Sequence, residues 1–308
     1  MILGDALADK FLHGEISRVS REAPVFILRH QHTETLPGGA ANCAMNLVAL
    51  GAHVSLISVT GDDESGSELR AKLEAAGVNI DGVIVSDRLQ TTTKVRIFAG
   101  QSHSSKQQVI RVDYEGVTLD DEEIRSAILK RLEHAFDGAS ALVISDYNYG
   151  VVDVRGAELI RRNANVPVLV DSRFRLSEFT GFTAATPNEE EVENLAGTSI
   201  SSTEDLENAA SSLKARLGHH ALLVTRGSQG MCLLEGAAPP VHIPAVGAQQ
   251  AVDVTGAGDT VIATFTLALA SGASFTEAAH LANYAGGLVV MKRGTATVSA
   301  SELEHAIL

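Results

Sequence analysis

The sequence contains no tryptophan, two cysteines and seven prolines in 308 residues, and only 4% of it is aromatic. Cys43 and Cys232 without CxxC spacing make neither a disulfide framework nor a thiolate metal site, and they point to a reducing compartment. The shortage of aromatics argues against a stacking surface for bases and leaves a core of Ala, Leu and Val. Positive charge is scarce too. Lys and Arg number 24 against 38 Asp and Glu, a net charge of −14 that repels polyanions, so nucleic acid is not expected as a partner. No apolar run approaches the ~18 residues of a spanning helix, and no basic-then-apolar leader opens the chain. No membrane partner and a cytoplasmic location are therefore expected. No tract resembles a linker, so the length reads as one large domain over 1–308.

What is present is alternation. Short apolar runs at 54–60, 141–146, 166–171 and 221–225 read as buried strands. Helical periods occupy 41–50, 65–76, 121–134, 203–217, 260–271 and 276–292, and Ser299 with Glu302 forms a capping box that opens a last helix. The alternation predicts an α/β fold, a mostly parallel sheet with helices on both faces. Three segments break the rhythm. Residues 24–28 follow the first strand without a helix, and 93–97 and 109–114 alternate polar with apolar side chains. Such half-buried strands predict a small antiparallel β lid, drawn from about 11–35 and 91–115. The first strand is short, with Met1 to Leu3 alone before Gly4 and Asp5, so it is either truncated or has its natural start upstream.

The strongest local signal is Asp253, Val254, Thr255, Gly256, Ala257, Gly258, Asp259, followed by a helical period. Small residues let backbone N–H groups converge at a helix N-terminus and hold an oxyanion, with Asp259 beside it as a proton acceptor. Alone, the pattern also fits an Asp that only caps a helix. Pro37, Gly38, Gly39, Ala40, Ala41 and Asn42 open another helix with a close backbone approach, and Asn42 and Asp5 carry groups suited to sugar hydroxyls. Asn188 and Glu191 share a helix face if Pro187 begins a helix, and such oxygens suit Mg²⁺ around ATP phosphates; a solvated, Glu-rich helix start fits equally. Thr225, Arg226 and Gly227 lie at a strand's carboxyl end, where ligands gather.

Taken in order, these motifs resemble the ribokinase family, also called PfkB carbohydrate kinases, over essentially the whole chain. The resemblance implies a ribokinase-like fold, ATP with Mg²⁺, and phosphoryl transfer to a sugar hydroxyl. It assigns Asp259 as catalytic base and Gly256, Ala257 and Gly258 as anion hole. Asp5, Gly38, Gly39 and Asn42 become sugar contacts. Asn188, Glu189, Glu190, Glu191, Thr225, Gly227 and Asn283 become ATP contacts, with Asn188 and Glu191 reaching Mg²⁺ through water. Asp253 and Thr255 mark the K⁺ site that many members have.

Within the family the likeness is to kinases of D-glycero-β-D-manno-heptose 7-phosphate, which make the 1,7-bisphosphate for ADP-heptose and lipopolysaccharide core. It is carried by 17–25, 38–46, 107–113, 142–147 and 254–261. A distal phosphate needs local cations, and Arg18, Arg21, Lys94, Lys106 and Arg111 fall in or beside the lid. At least two of these five are expected to be solvated strand edges. The lid's alternating apolar faces predict a homodimer through the lid. The alternatives are a kinase of an unphosphorylated sugar, of ribokinase or fructokinase type, and a non-catalytic relative that binds sugar or nucleotide.

Overall fold

The computed structural model describes residues 1–100, 106–116, 119–247 and 251–308; the part of the expected lid at 101–105 lies outside them. The strands are β1 (Ile2–Gly4), β2 (Ala6–Val19), β3 (Phe26–Gly39), β4 (Leu56–Gly61), β5 (Val83–Ser86), β6 (Thr93–Gly100), β7 (Gln107–Tyr114), β8 (Leu142–Asp146), β9 (Val168–Ser172), β10 (Ala184–Ala185), β11 (Ala221–Thr225), β12 (Met231–Glu235) and β13 (Val241–Ile243). The helices are α1 (Ala40–Ala49), α2 (Glu64–Ala76), α3 (Glu122–Ala135), α4 (Val154–Asn163), α5 (Glu189–Ala196), α6 (Thr203–Leu217), α7 (Ala257–Ala270), α8 (Phe275–Val289) and α9 (Ala300–Ile307).

Nine strands form the main sheet in the order β13-β12-β11-β10-β9-β8-β1-β4-β5. All pairs from β11 to β5 are parallel, and the β11-β12-β13 edge is antiparallel. Because side chains alternate along a strand, the parallel strands feed two cores. Ile2, Val143, Leu169 and Leu223 pack with Leu47, Leu73 and Phe265 on one face. Leu3, Leu142, Ile144, Val170 and Leu222 pack with Ile128, Ile160 and Leu213 on the other.

The second sheet has the order β3-β2-β6-β7. Its outer pairs are antiparallel and its central pair, β2 with β6, is parallel. Strand β2 begins one residue after β1 ends, so this lid grows from the carboxyl end of the main sheet. Paired residues share a face. Asp9, Lys94, Arg96 and Arg111 therefore look to one side, with Phe11, His13, His32 and Phe98 following them toward the tip. There His13 stacks on His32 at 4.5 Å and on Phe98 at 5.2 Å. The other side carries Leu12, Val95, Ile97, Ile110 and Val112.

Pro187 does not begin a helix. Asn188 is the N-cap of α5, and Pro187 stays in extended pairing with β11, its carbonyl accepting the Thr225 N–H at 2.9 Å. Helix α4 is not among the expected helices, although its Asp153 N-cap and its basic last turn, Arg161 and Arg162, mark it; its buried stripe is only Gly156, Ala157 and Ile160. Among the described residues, no helix is long and apolar enough to cross a membrane.

Candidate active site

Helix α7 starts at Gly256, whose φ of 77° disfavours any other residue and whose missing Cβ leaves room for the Asn42 amide. Among the described residues no side chain caps the helix, which leaves the positive end of its dipole facing the cavity. Of the three expected anion-hole residues, Ala257 has its N–H turned back to the Val254 carbonyl at 3.2 Å. Gly258 has ordinary φ, and a Cβ there would meet nothing closer than Asp171 at 3.9 Å.

Asp259 lies in the first turn, 3% exposed. Its Oδ2 accepts from Asn42 Nδ2 at 2.9 Å and its Oδ1 from the Tyr147 hydroxyl at 2.8 Å. Burial pushes its pKa up to about 7, with those two hydrogen bonds opposing. Asn46 ties the assembly together, donating to the Asn42 carbonyl and accepting from Thr260 Oγ1, both at 3.0 Å.

A cavity of about 440 Å³ opens over Asp259. The lid contributes Asp9, Lys94, Arg96 and Arg111 to its wall; the sheet end contributes Asp146, Tyr147, Asp171 and Arg173. Asn188, Glu191 and Thr225 close a third side. Next to it lies a more apolar slot of about 230 Å³ between Met231, Val246, Val261, Gly286 and Val290, sharing Thr225, Val254, Ala257 and Gly258 with the cavity. Gly227 and Asn283 line the slot, where Asn283 Nδ2 donates to the Pro244 carbonyl at 2.8 Å.

Several expected site residues have other tasks. Asp5 does not line this cavity: its carboxylate accepts the N–H groups of Tyr147, Tyr149 and Val151 at 2.8, 3.2 and 3.1 Å. Asn42 is turned to Asp259 and the Gly256 carbonyl rather than toward a sugar. Asp253 ties its loop to the segment after α8, accepting from Thr255 N and Gly294 N at 2.9 Å each, while Thr255 reaches the cavity. Glu189 pairs with Arg226 at 2.7 Å and Glu190 is exposed; neither borders the cavity or the slot. Arg18 is exposed nine residues along β2 from Asp9, ~30 Å at the strand rise, and Arg21 is exposed at the hairpin end. Lys106 donates to Gln31. Gly39 lines the cavity, whereas Gly38 clears space for the Asp9 carboxylate.

Asp9, Arg96, Tyr147, Asp171 and Arg173 were not among the expected site residues. Their one sequence signal is position, since Tyr147 and Asp171 end or follow apolar runs. Arg96 donates to Asp9, Arg111 pairs with Asp113 at 2.9 Å, and Lys94 lies 3.7 Å from both Asp113 and Glu115. Asn188 and Glu191 form a reciprocal capping box, so the helix-start reading holds while both side chains also border the cavity. Asp171 is pushed well above the usual carboxylate range by burial first and then by the charges of Glu191, Asp259 and Asp146. Glu191 is raised too, mainly by burial. Among the described residues no three acidic, His or Cys side chains stand together as a ligand set for a metal ion, so a hard divalent cation here would bind through one or two of these oxygens with water and substrate phosphates supplying the rest.

A carboxylate buried against an uncapped helix N-terminus, at the carboxyl end of a parallel sheet under a β lid, defines a lidded α/β enzyme. The model for pfkB family carbohydrate kinases matches residues 14–302, and the chain belongs to that family. It is 40% identical over 309 residues to the bifunctional protein HldE of Aeromonas salmonicida, and 42% over 311 residues to that of Alcanivorax borkumensis. Each alignment covers 100% of this chain and 63% of the relative, so the chain spans less than two thirds of their length. Arabidopsis thaliana ribokinase complexed with ribose and ATP superposes with TM-score 0.77 at 22% identity, over 99% of this chain and 97% of that one. Phosphofructokinase-2 from Escherichia coli in complex with potassium superposes at 0.82 and 20% identity, over 99% and 96%. At such identities these two speak for the fold.

Proposed function

We propose that the chain transfers the γ-phosphoryl group of ATP to the anomeric hydroxyl of D-glycero-β-D-manno-heptose 7-phosphate, giving the 1,7-bisphosphate for ADP-heptose and lipopolysaccharide core synthesis in the cytoplasm. The observation that carries the reading is the cavity itself. One wall holds Asp259 and the α7 N-terminus, and the lid wall holds Lys94, Arg96 and Arg111, the cations a phosphate at the far end of a long sugar needs. Their carboxylate partners hold these side chains in place, and an Arg with five donors keeps some for a phosphate.

In this reading Asp259 takes the proton of the attacking hydroxyl, and the open N-terminus of α7 stabilises charge on the transferring group. The adjoining slot, with Thr225, Gly227 and Asn283, suits an adenine ring. Asn188, Glu191 and Asp171 would hold Mg²⁺, which when bound neutralises phosphate charge. K⁺ at Asp253 and Thr255 rests on the family likeness; both Asp253 oxygens already accept backbone N–H groups. The exposed apolar side chains on the outer lid face, Ile110 and Val112 among them, support a homodimer through the lids.

A coupled ADP-release assay over heptose 7-phosphate, heptose, fructose 6-phosphate, ribose, fructose and adenosine tests the proposal. The expected outcome is the highest kcat/KM for heptose 7-phosphate. Preference for ribose or fructose would assign the chain to unphosphorylated sugars, and no ADP release with any of them would make it a binding protein.

A further inference from the structure

Between β8 and α4 the chain winds around the buried carboxylate of Asp5, which accepts the N–H groups of Tyr147, Tyr149 and Val151. Inside the loop, Asn148 has φ 66°, the one positive φ outside glycine among the described residues. That conformation is sparsely populated and is held by the three charge-assisted bonds around it. The clasp presents the Tyr147 hydroxyl to Asp259 Oδ1 at 2.8 Å, while Asn42 holds Oδ2 at 2.9 Å. Tyr147 borders the same cavity as the base.

The titratable groups that face Asp259 are Asp9 from β2, Cys43 from α1, Tyr147 from the β8–α4 loop and Asp171 from β9. All are anionic or neutral. Burial drives the Tyr147 phenol well above its ordinary pKa, with the Asp259 charge adding to it, so the hydroxyl stays a donor. What favours an ionised Asp259 is therefore the α7 N-terminus and two neutral donors, Asn42 and Tyr147.

We propose that Tyr147, held by the Asp5 clasp, is a positioning residue for the catalytic base: its hydroxyl fixes the Asp259 carboxylate and favours its ionised form. The inference rests on the reading of Asp259 as the base. Removing the donor withdraws a hydrogen bond that favours the charged form, so the acid limb of the rate must move to higher pH.

The test is steady-state kcat and KM for heptose 7-phosphate against pH, at saturating ATP, for the whole chain as wild type, Tyr147→Phe and a chain with 3-fluorotyrosine at 147. The Phe variant should shift the acid limb up by about one unit, losing roughly five- to tenfold at pH 7 and no more than about twofold at pH 9, with KM values unchanged. Fluorotyrosine, a stronger donor of the same shape, should shift the limb down. A uniform loss in the Phe variant with an unmoved limb would overturn the proposal; if that variant is unfolded, an unmoved limb with fluorotyrosine does so. Asp259→Asn separates the two readings. Retained turnover in it defeats the base assignment, whereas its loss together with unmoved limbs defeats only the role of Tyr147.

Discussion

The sheet end and the lid bury carboxylates in different ways. At the sheet end, Asp5 accepts three backbone N–H groups and Asp259 accepts from an amide and a phenol, with no cation among these partners. Burial pushes their pKa values up to about 6 and about 7. In the lid, Asp9 meets Arg96, and Asp113 meets Arg111 and Lys94. Neutral donors leave a buried carboxylate close to its titration point, where it can take a proton. In the lid burial raises Asp9 too, but there the Arg96 charge and hydrogen bond oppose it, and the pairing keeps guanidinium donors oriented for an anion. Neutral donors at one end and cations at the other match the proposed chemistry at the sheet end and the proposed recognition at the lid.

The comparison breaks hardest at Asp259. Asp259→Asn should lower kcat by ~10³ or more while sugar and ATP affinities stay within severalfold; turnover within tenfold of wild type would remove the chemistry from the sheet end. Gly256→Ala comes next. It strains a φ of 77° and runs into the Asn42 amide that holds the base, so about a hundredfold loss of kcat and a melting temperature lower by several degrees are expected. Gly258→Ala, with room for a methyl, should stay within about tenfold. Equal losses in the two would mean that the strained turn is not what positions Asp259.

In the lid, Arg111→Met should raise KM for the 7-phosphate by roughly tenfold, the lower end for a charge-assisted bond because Arg111 is 50% exposed, with kcat little changed. A matching fall in kcat would place that cation at the transferring phosphoryl instead.

Stability against pH sharpens the contrast. Asp5 and Asp259 have folded pKa values raised above the unfolded ones, so their contribution is complete below about 4 and is lost as pH rises through about 6 and 7. The ligand-free chain should therefore melt lower at pH 8 than at pH 5 in thermal scans without Mg²⁺, and a rise over that interval would show that ion pairs dominate both regions. The smallest effect is expected on the outer lid face. Ile110→Glu, at a 54% exposed position, should convert a dimer to monomer in sedimentation without altering the fold, and an unchanged dimer would move the interface elsewhere.

Much was legible before any coordinates. The run 221–225 coincides with β11, 203–217 with α6, and the capping box at Ser299 opens α9, because each carries its own periodicity or cap. Asp259 was legible because its motif is contiguous: the helix start, the small residues and the carboxylate are neighbours in sequence. Asp5 and Asp9 were not separable in the same way. They lie four residues apart in one short polar and apolar stretch, and whichever faces the cavity depends on a loop more than 140 residues away that closes around Asp5.

Sequence alone therefore determined the alternation of strands and helices, the acidic field, the glycine-rich helix start and its Asp. These depend on local propensity, capping and neighbouring residues. Tertiary structure alone decided that Asn42 and Tyr147 grip the two oxygens of Asp259, that Arg96 and Arg111 face the cavity while Arg18 does not, and that Asp253 closes a loop. Those outcomes depend on which residues from distant segments arrive at the same carboxylate and on the strand pairing that turns a side chain inward, and neither distance nor facing is written in the spacing of the chain.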